Sequence, residues 1–134
     1  MISTDLAVAL REAGLVWHPA SGDRFQLDEP EFEADVFTVS EMTIEPRSYP
    51  TGVILAFNGT TEWALDSVAL EDALWLPRED QLREMLRGMF RALRRTDDAH
   101  VVEIQFDGRV LSFEHPEPAD AYGLALLSVL RRIA

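Results

Sequence analysis

The stretch Leu74-Trp75-Leu76-Pro77-Arg78-Glu79-Asp80-Gln81-Leu82-Arg83-Glu84-Met85-Leu86-Arg87-Gly88-Met89-Phe90-Arg91-Ala92-Leu93 decides how the rest of the chain is read. Its spacing predicts one amphipathic helix. Pro77 stands where a helix can start, because its missing N–H would be unpaired there in any case. Glu79 and Asp80 follow in the first turn, where the positive end of the helix dipole favours acid. Leu82, Met85, Leu86, Met89, Phe90 and Leu93 recur at the spacing of a core-facing stripe. On the same helical wheel Arg83, Arg87, Arg91 and Arg94 fall on the opposite side as a basic stripe. Like charges one turn apart cost about 0.2–0.5 kcal/mol per pair. The stripe is therefore expected to have acidic company, in this chain or in another. A solvated face with the guanidinium groups in water is the plainer reading.

Working outward, the rest of the chain supplies material to cover that stripe. Towards the N-terminus, Ser3 or Thr4 can cap a first helix with the stripe Leu6, Ala9, Leu10 and Ala13. Gly14 stops it, and Leu15 is placed for the contact that follows a glycine cap. Trp17-His18-Pro19 leads into a turn at Ser21-Gly22-Asp23, then Phe25 and Leu27. Val36 to Val39 and Met42 to Glu45 read as strands, and Pro46 to Gly52 as a loop. Val53 to Phe57 and Thr60 to Leu65 flank Asn58-Gly59, the strongest short hairpin signal, which places Ile54 opposite Trp63. Residues 66–72 read as a turn or a short helix.

Towards the C-terminus, residues 94–99 form a polar link. Val101 to Phe106, Asp107-Gly108 and Arg109 to Glu114 form a second hairpin with clean alternation. Val102, Ile104, Phe106, Leu111 and Phe113 fall on one face. Glu103, Gln105, Val110, Ser112 and Glu114 fall on the other. Pro116 and Pro118 introduce a last helix, acidic at its start (Glu117, Asp120) and basic at its end (Arg131, Arg132). Its stripe is Tyr122, Leu126, Val129, Leu130 and Ile133, and Gly123 lets it lie close to a neighbour. Sequential hairpins with one apolar face need helices on that face. The expected fold is α+β: an antiparallel sheet of about five to seven strands, with helices packed on one face, in a single domain over residues 1–134.

Composition narrows the functions. The chain has 134 residues and no cysteine, which excludes disulfides, thiolate metal sites and a cysteine nucleophile. Formal net charge is −12, and all 12 basic residues are arginine. Residues 1–77 carry 14 acids and 3 bases, residues 78–95 carry 3 acids and 6 bases, and residues 96–134 carry 7 acids and 3 bases. So acidic a chain is repelled by nucleic-acid phosphates and anionic lipid, and suits basic protein surfaces or simple solubility. No apolar run approaches a membrane span, and the N-terminus lacks the basic region of a signal peptide. A cytoplasmic location is expected, without nucleic-acid or membrane partners. Exclusive use of arginine fits a genome of high GC content.

Enzyme signatures fail: there is no glycine-rich phosphate loop, no Gly-x-Ser-x-Gly and no His-Glu-x-x-His. The acidic run Asp28 to Asp35 lacks the spacing of a calcium loop and reads as solvated. One constellation remains. The Asp107-Gly108 turn pairs Phe106 with Arg109 and so places His100 opposite His115, with Asp98 and Glu117 close in sequence. Two imidazoles and a carboxylate can hold a divalent metal, whereas a half-buried pair at a frayed sheet end is the plainer reading. Trp17, Trp63 and Trp75 read as core. Any one of the three, if exposed beside Arg83 or Arg87, becomes a candidate binding anchor.

Phe57-Asn58-Gly59-Thr60-Thr61-Glu62-Trp63-Ala64-Leu65-Asp66-Ser67 and Leu74 to Arg83, with Ala13-Gly14-Leu15-x-Trp17-x-Pro19 and Gly22-Asp23-Arg24-Phe25, resemble a family of short uncharacterised bacterial proteins. Some of its members are labelled pilus assembly protein. The resemblance covers nearly the whole chain and brings no functional residues with it.

These readings favour a non-catalytic protein-interaction module, an adaptor or regulator, with no cofactor. It would use the acidic N-terminal half or the stripe Arg83, Arg87 and Arg91. Two alternatives stand beside it: a small-ligand or metal-dependent enzyme whose pocket is spatial and not sequential, and an acidic antitoxin or immunity-type decoy. The basic segment of one copy can also meet the acidic surface of another, giving a homo-oligomer.

Overall fold

The computed structural model describes residues 1–28, 35–39, 44–49, 52–57, 67–69 and 72–133. Along the chain run α1 (Thr4–Glu12), β1 (Arg24–Leu27), β2 (Phe37–Thr38), β3 (Ile44–Tyr49), β4 (Gly52–Phe57), β5 (Ser67–Ala69), β6 (Ala73–Leu76), α2 (Glu79–Leu86), a short 3-10 turn (Arg87–Met89), β7 (Phe90–Arg95), β8 (His100–Phe106), β9 (Arg109–His115) and α3 (Pro118–Ile133). The class is α+β, as the patterning predicts. The single sheet is not: among the described residues the strands form three three-stranded sheets, β2-β1-β6, β3-β4-β5 and β7-β8-β9. They belong to two compact units, residues 1–16 with 76–134, and residues 17–75.

In the first of these units α1 begins at an N-cap Ser3, whose hydroxyl accepts from the Leu6 N–H at 3.3 Å. It ends as expected at Gly14, with φ +106°. The Leu15 N–H donates to the Leu10 carbonyl at 3.0 Å and the Gly14 N–H to the Arg11 carbonyl at 3.1 Å. These two bonds satisfy carbonyls that the helix end would leave open.

The predicted helix over 74–93 is corrected at both ends. Leu74, Trp75 and Leu76 are strand β6, and the residue before a proline is pushed to extended backbone. Pro77 lies outside the helix. The N-cap is Arg78, whose N–H donates to the Gln81 side-chain oxygen at 2.9 Å. Glu79 and Asp80 hold the first turn, as predicted. The helix stops at Leu86, because Arg87 takes φ +52° and ψ −132° and turns the chain. Phe90 and Leu93 then belong to strand β7, so only Leu82 and Leu86 of the predicted stripe are fully buried helix residues.

The second hairpin has the predicted register at every position, from Phe106↔Arg109 to His100↔His115. Asp107 and Gly108 both take positive φ, +52° and +76°, the backbone a two-residue turn of this hand requires. Val102 and Ile104 are buried, while Gln105, Val110, Ser112 and Glu114 are exposed. β7 joins the other side of β8, antiparallel, with a bulge between Phe90 and Ala92. Helix α3 packs on β8 and β9, and α1 and α2 pack on α3. Tyr122, Leu126 and Val129 of its predicted stripe are buried, but Ile133 is 65% exposed. The helix is buried around most of its circumference, since Ala119, Ala121, Ala125 and Leu127 are buried as well. Gly123 does permit a close approach: a Cβ there would stand 2.6 Å from Leu6 Cδ2.

The core of the other unit is Trp17, Phe25, Leu27, Val39 and Ala73, with Phe37 and Trp75 packed against it. Trp17 stacks on Trp75 (centroids 6.4 Å, planes 10° apart) and leans on Phe25 at 5.5 Å. Buried Asp23 holds this corner, accepting from the Trp17 indole N–H at 2.9 Å and the Ala20 N–H at 3.0 Å. In the sheet β3-β4-β5, strand β3 includes Pro46, which the sequence reading assigned to a loop. Among the described residues β3 is an edge strand, where a missing donor is tolerated. Ile54 is opposite Arg47 on one side and Ala69 on the other. Asn58, Gly59, Trp63 and most of the acidic run (residues 29–34) lie outside the described residues.

Candidate binding surface

The three arginines predicted to share one helix face are distributed over three elements. Arg83 remains on α2, exposed. Tyr122 of α3, by a side-chain hydrogen bond first and by electrostatic attraction second, holds its guanidinium above its ordinary pKa. Arg87 is the residue with φ +52° that ends α2. Arg91 occupies the bulge of β7. Its Nε donates to the Gln105 side-chain oxygen at 3.1 Å, and its Nη1 donates to the carbonyls of Gly88 and Phe90. The basic feature survives in another form, as four exposed arginines in sequence along the turn and strand β7: Arg87, Arg91, Arg94 and Arg95, the last two on opposite faces of the ribbon.

This row has little acid of its own. Arg94 pairs with Glu103 on β8, the cross-strand contact that the sequence reading missed because it took residues 90–94 as helix. Among the described residues, Arg87 and Arg95 have no ion pair. β7 also has β8 on one side only among those residues, and Leu93 on it is 40% exposed. An edge strand of this kind offers unpaired backbone groups together with positive charge.

Trp75 does not join Arg83 or Arg87 as an exposed anchor. It lies half-buried on β6 against Trp17, and its buried indole N–H has no hydrogen-bond partner among the described residues. Trp63 lies outside the described residues.

His100 and His115 do face each other across β8 and β9. Each ring is already engaged through Nδ1. His100 Nδ1–H donates to the Pro116 carbonyl at 3.0 Å, and His115 Nδ1 accepts from the Glu117 N–H at 3.0 Å. The carboxylate that comes near is neither Asp98 nor that of Glu117. It is Asp120, 4% exposed, whose Oδ2 lies 3.6 Å from His115 Nδ1. Among the described residues no three His, Asp or Glu side chains are grouped to hold a metal ion. The signal that singles out Asp120 is its place between Ala119 and Ala121, small residues buried with it in the first turn of α3.

Fold and surface together define a small α+β protein with an arginine-bearing edge strand. No helix among the described residues is long and apolar enough to cross a membrane. The sequence matches no protein-family model, no curated protein and no solved structure at a significant level.

Proposed function

We propose that the protein is a cytoplasmic, non-catalytic interaction module that binds an acidic protein partner through β7 and the turn before it. The observation that carries this reading is the exposed row Arg87, Arg91, Arg94 and Arg95 in a chain of net charge −12. Such a chain repels acidic partners at long range, so a local basic strand sets where an acidic segment can approach and in which orientation. Arg87 adds a second support. A non-glycine residue at positive φ is costly, and a position of that kind persists where the side chain has a use.

The test is anisotropy of a labelled oligoglutamate peptide with the protein and with the double variant Arg87→Glu, Arg95→Glu. Those two arginines have no ion pair among the described residues, so their reversal leaves Arg94–Glu103 intact. The variant is expected to bind at least about tenfold more weakly, a change of about 1.4 kcal/mol. Equal binding by variant and wild type refutes the proposal.

A further inference from the structure

Helix α3 has 16 residues and β9 has 7. At about 1.5 Å per helical residue and about 3.4 Å per strand residue, both span roughly 24 Å. The helix starts next to the open end of the hairpin, so its last turn comes to lie over the Asp107-Gly108 turn. A groove of about 290 Å³ is found there, lined by Phe106, Asp107, Arg109, Leu111 and Arg132. Phe106 and Leu111 are half-buried on the apolar side of the ribbon. Arg109 is directly opposite Phe106. Arg132 is steadied by its Nε, which donates to the Ser128 hydroxyl at 3.2 Å. Among the described residues, neither the Arg109 guanidinium nor the Asp107 carboxylate has an ion pair.

We infer that this groove binds a free α-amino acid with an apolar side chain. The guanidinium groups take the carboxylate, for which their planar fork is suited. Asp107 takes the ammonium, which also sits well at the negative end of the α3 dipole. The apolar side chain lies on Phe106 and Leu111. A ligand with a carboxylate alone leaves Asp107 facing a like charge, and one with an ammonium alone leaves two guanidinium groups unneutralised. The volume is at the small end for ligand sites and suits a molecule of leucine size.

The experiment is a ¹H–¹⁵N correlation titration of the full chain with L-leucine, N-acetyl-L-leucine and L-leucinamide. Leucine is expected to move the amides of residues 107–111 with a Kd of about 1 mM, and each charge-deleted analogue to bind about tenfold more weakly. Asp107→Asn keeps the turn, because asparagine accepts positive φ readily. It should erase the preference for leucine over N-acetyl-leucine. The double variant Arg109→Gln, Arg132→Gln should abolish the leucine shifts. Absence of shifts at residues 107–111, or equal binding of the three ligands, overturns the inference.

Discussion

The backbone N–H of Ser3 donates to Oδ1 of Asp120 at 2.8 Å, tying the start of α1 to the first turn of α3. The two residues are 117 positions apart in sequence. The carboxylate is buried, so its hydrogen bonds decide whether its desolvation is offset.

From this follows the first prediction. Asp120→Ala leaves the Ser3 N–H without its acceptor and should destabilise the protein by about 1–3 kcal/mol. Asp120→Asn keeps an oxygen for Ser3, so it should cost clearly less. Urea denaturation of both variants measures the difference. Equal losses would show that the Ser3 bond is not what Asp120 supplies.

Gly123 gives a second prediction, one of sign. A Cβ there meets Leu6 Cδ2 at 2.6 Å, and Leu6 Cγ and Ile2 Cδ1 at 3.2 Å. Gly123→Ala gains about 1 kcal/mol of helix propensity, but overpacking costs about 1–3 kcal/mol, so the variant should be neutral to destabilised. In a Leu6→Ala background the obstruction is gone, and the same change should stabilise. A thermodynamic cycle by thermal unfolding checks this. Destabilisation of similar size in both backgrounds would place the clash elsewhere.

A third prediction separates stability from binding. At Arg87, φ +52° costs a non-glycine residue about 1–3 kcal/mol. Glycine relieves that strain but loses about 0.4–1 kcal/mol through the unfolded chain. Arg87→Gly should therefore raise the melting temperature while weakening acidic-peptide binding. A variant that is more stable and binds as wild type does would remove Arg87 from the surface.

The fourth concerns acid. Asp80 accepts from Arg78 Nε at 3.1 Å. That hydrogen bond lowers the Asp80 pKa below its ordinary 3.8; burial opposes it, and the charge of Arg78 adds to the lowering. A carboxyl lowered on folding contributes stability above its unfolded pKa, and that stability is lost as pH falls through the folded value. The pair is exposed, so the whole contribution is about 0–0.5 kcal/mol. Wild type and Asp80→Asn should differ slightly at pH 7 and converge at pH 2, as urea midpoints will report; a gap that widens in acid would contradict the assignment.

How far the chain could be read in advance depended on whether two signals agreed. At the second hairpin, Asp107-Gly108 fixed the register and strict alternation fixed the faces, so the pairing of His100 with His115 followed. In α1, the Ser3 cap and the Gly14 stop bracketed a short apolar stripe, and both ends were legible. Residues 74–93 failed because apolar spacing alone cannot tell a continuing helix from a strand that starts in phase with it. Phe90 and Leu93 satisfy the helical stripe, yet β8 offers an unpaired edge, and the pairing outweighs local propensity. Two marks in the sequence pointed the right way: Pro77, which forces Leu76 extended, and Gly88, beside the turn. The basic row was legible as charge but not as geometry, because its arrangement depends on that strand. Asp120 was read as a helix-dipole acid, and its contact with Ser3 crosses nearly the whole chain, beyond any local pattern.

The proposal that β7 receives an acidic partner is tested most directly by the salt dependence of oligoglutamate affinity. Anisotropy titrations from low to high sodium chloride should give a binding constant that falls steeply as salt rises, because exposed charge pairs are screened. Binding that is unchanged across the series, or absent at low salt, would contradict the account.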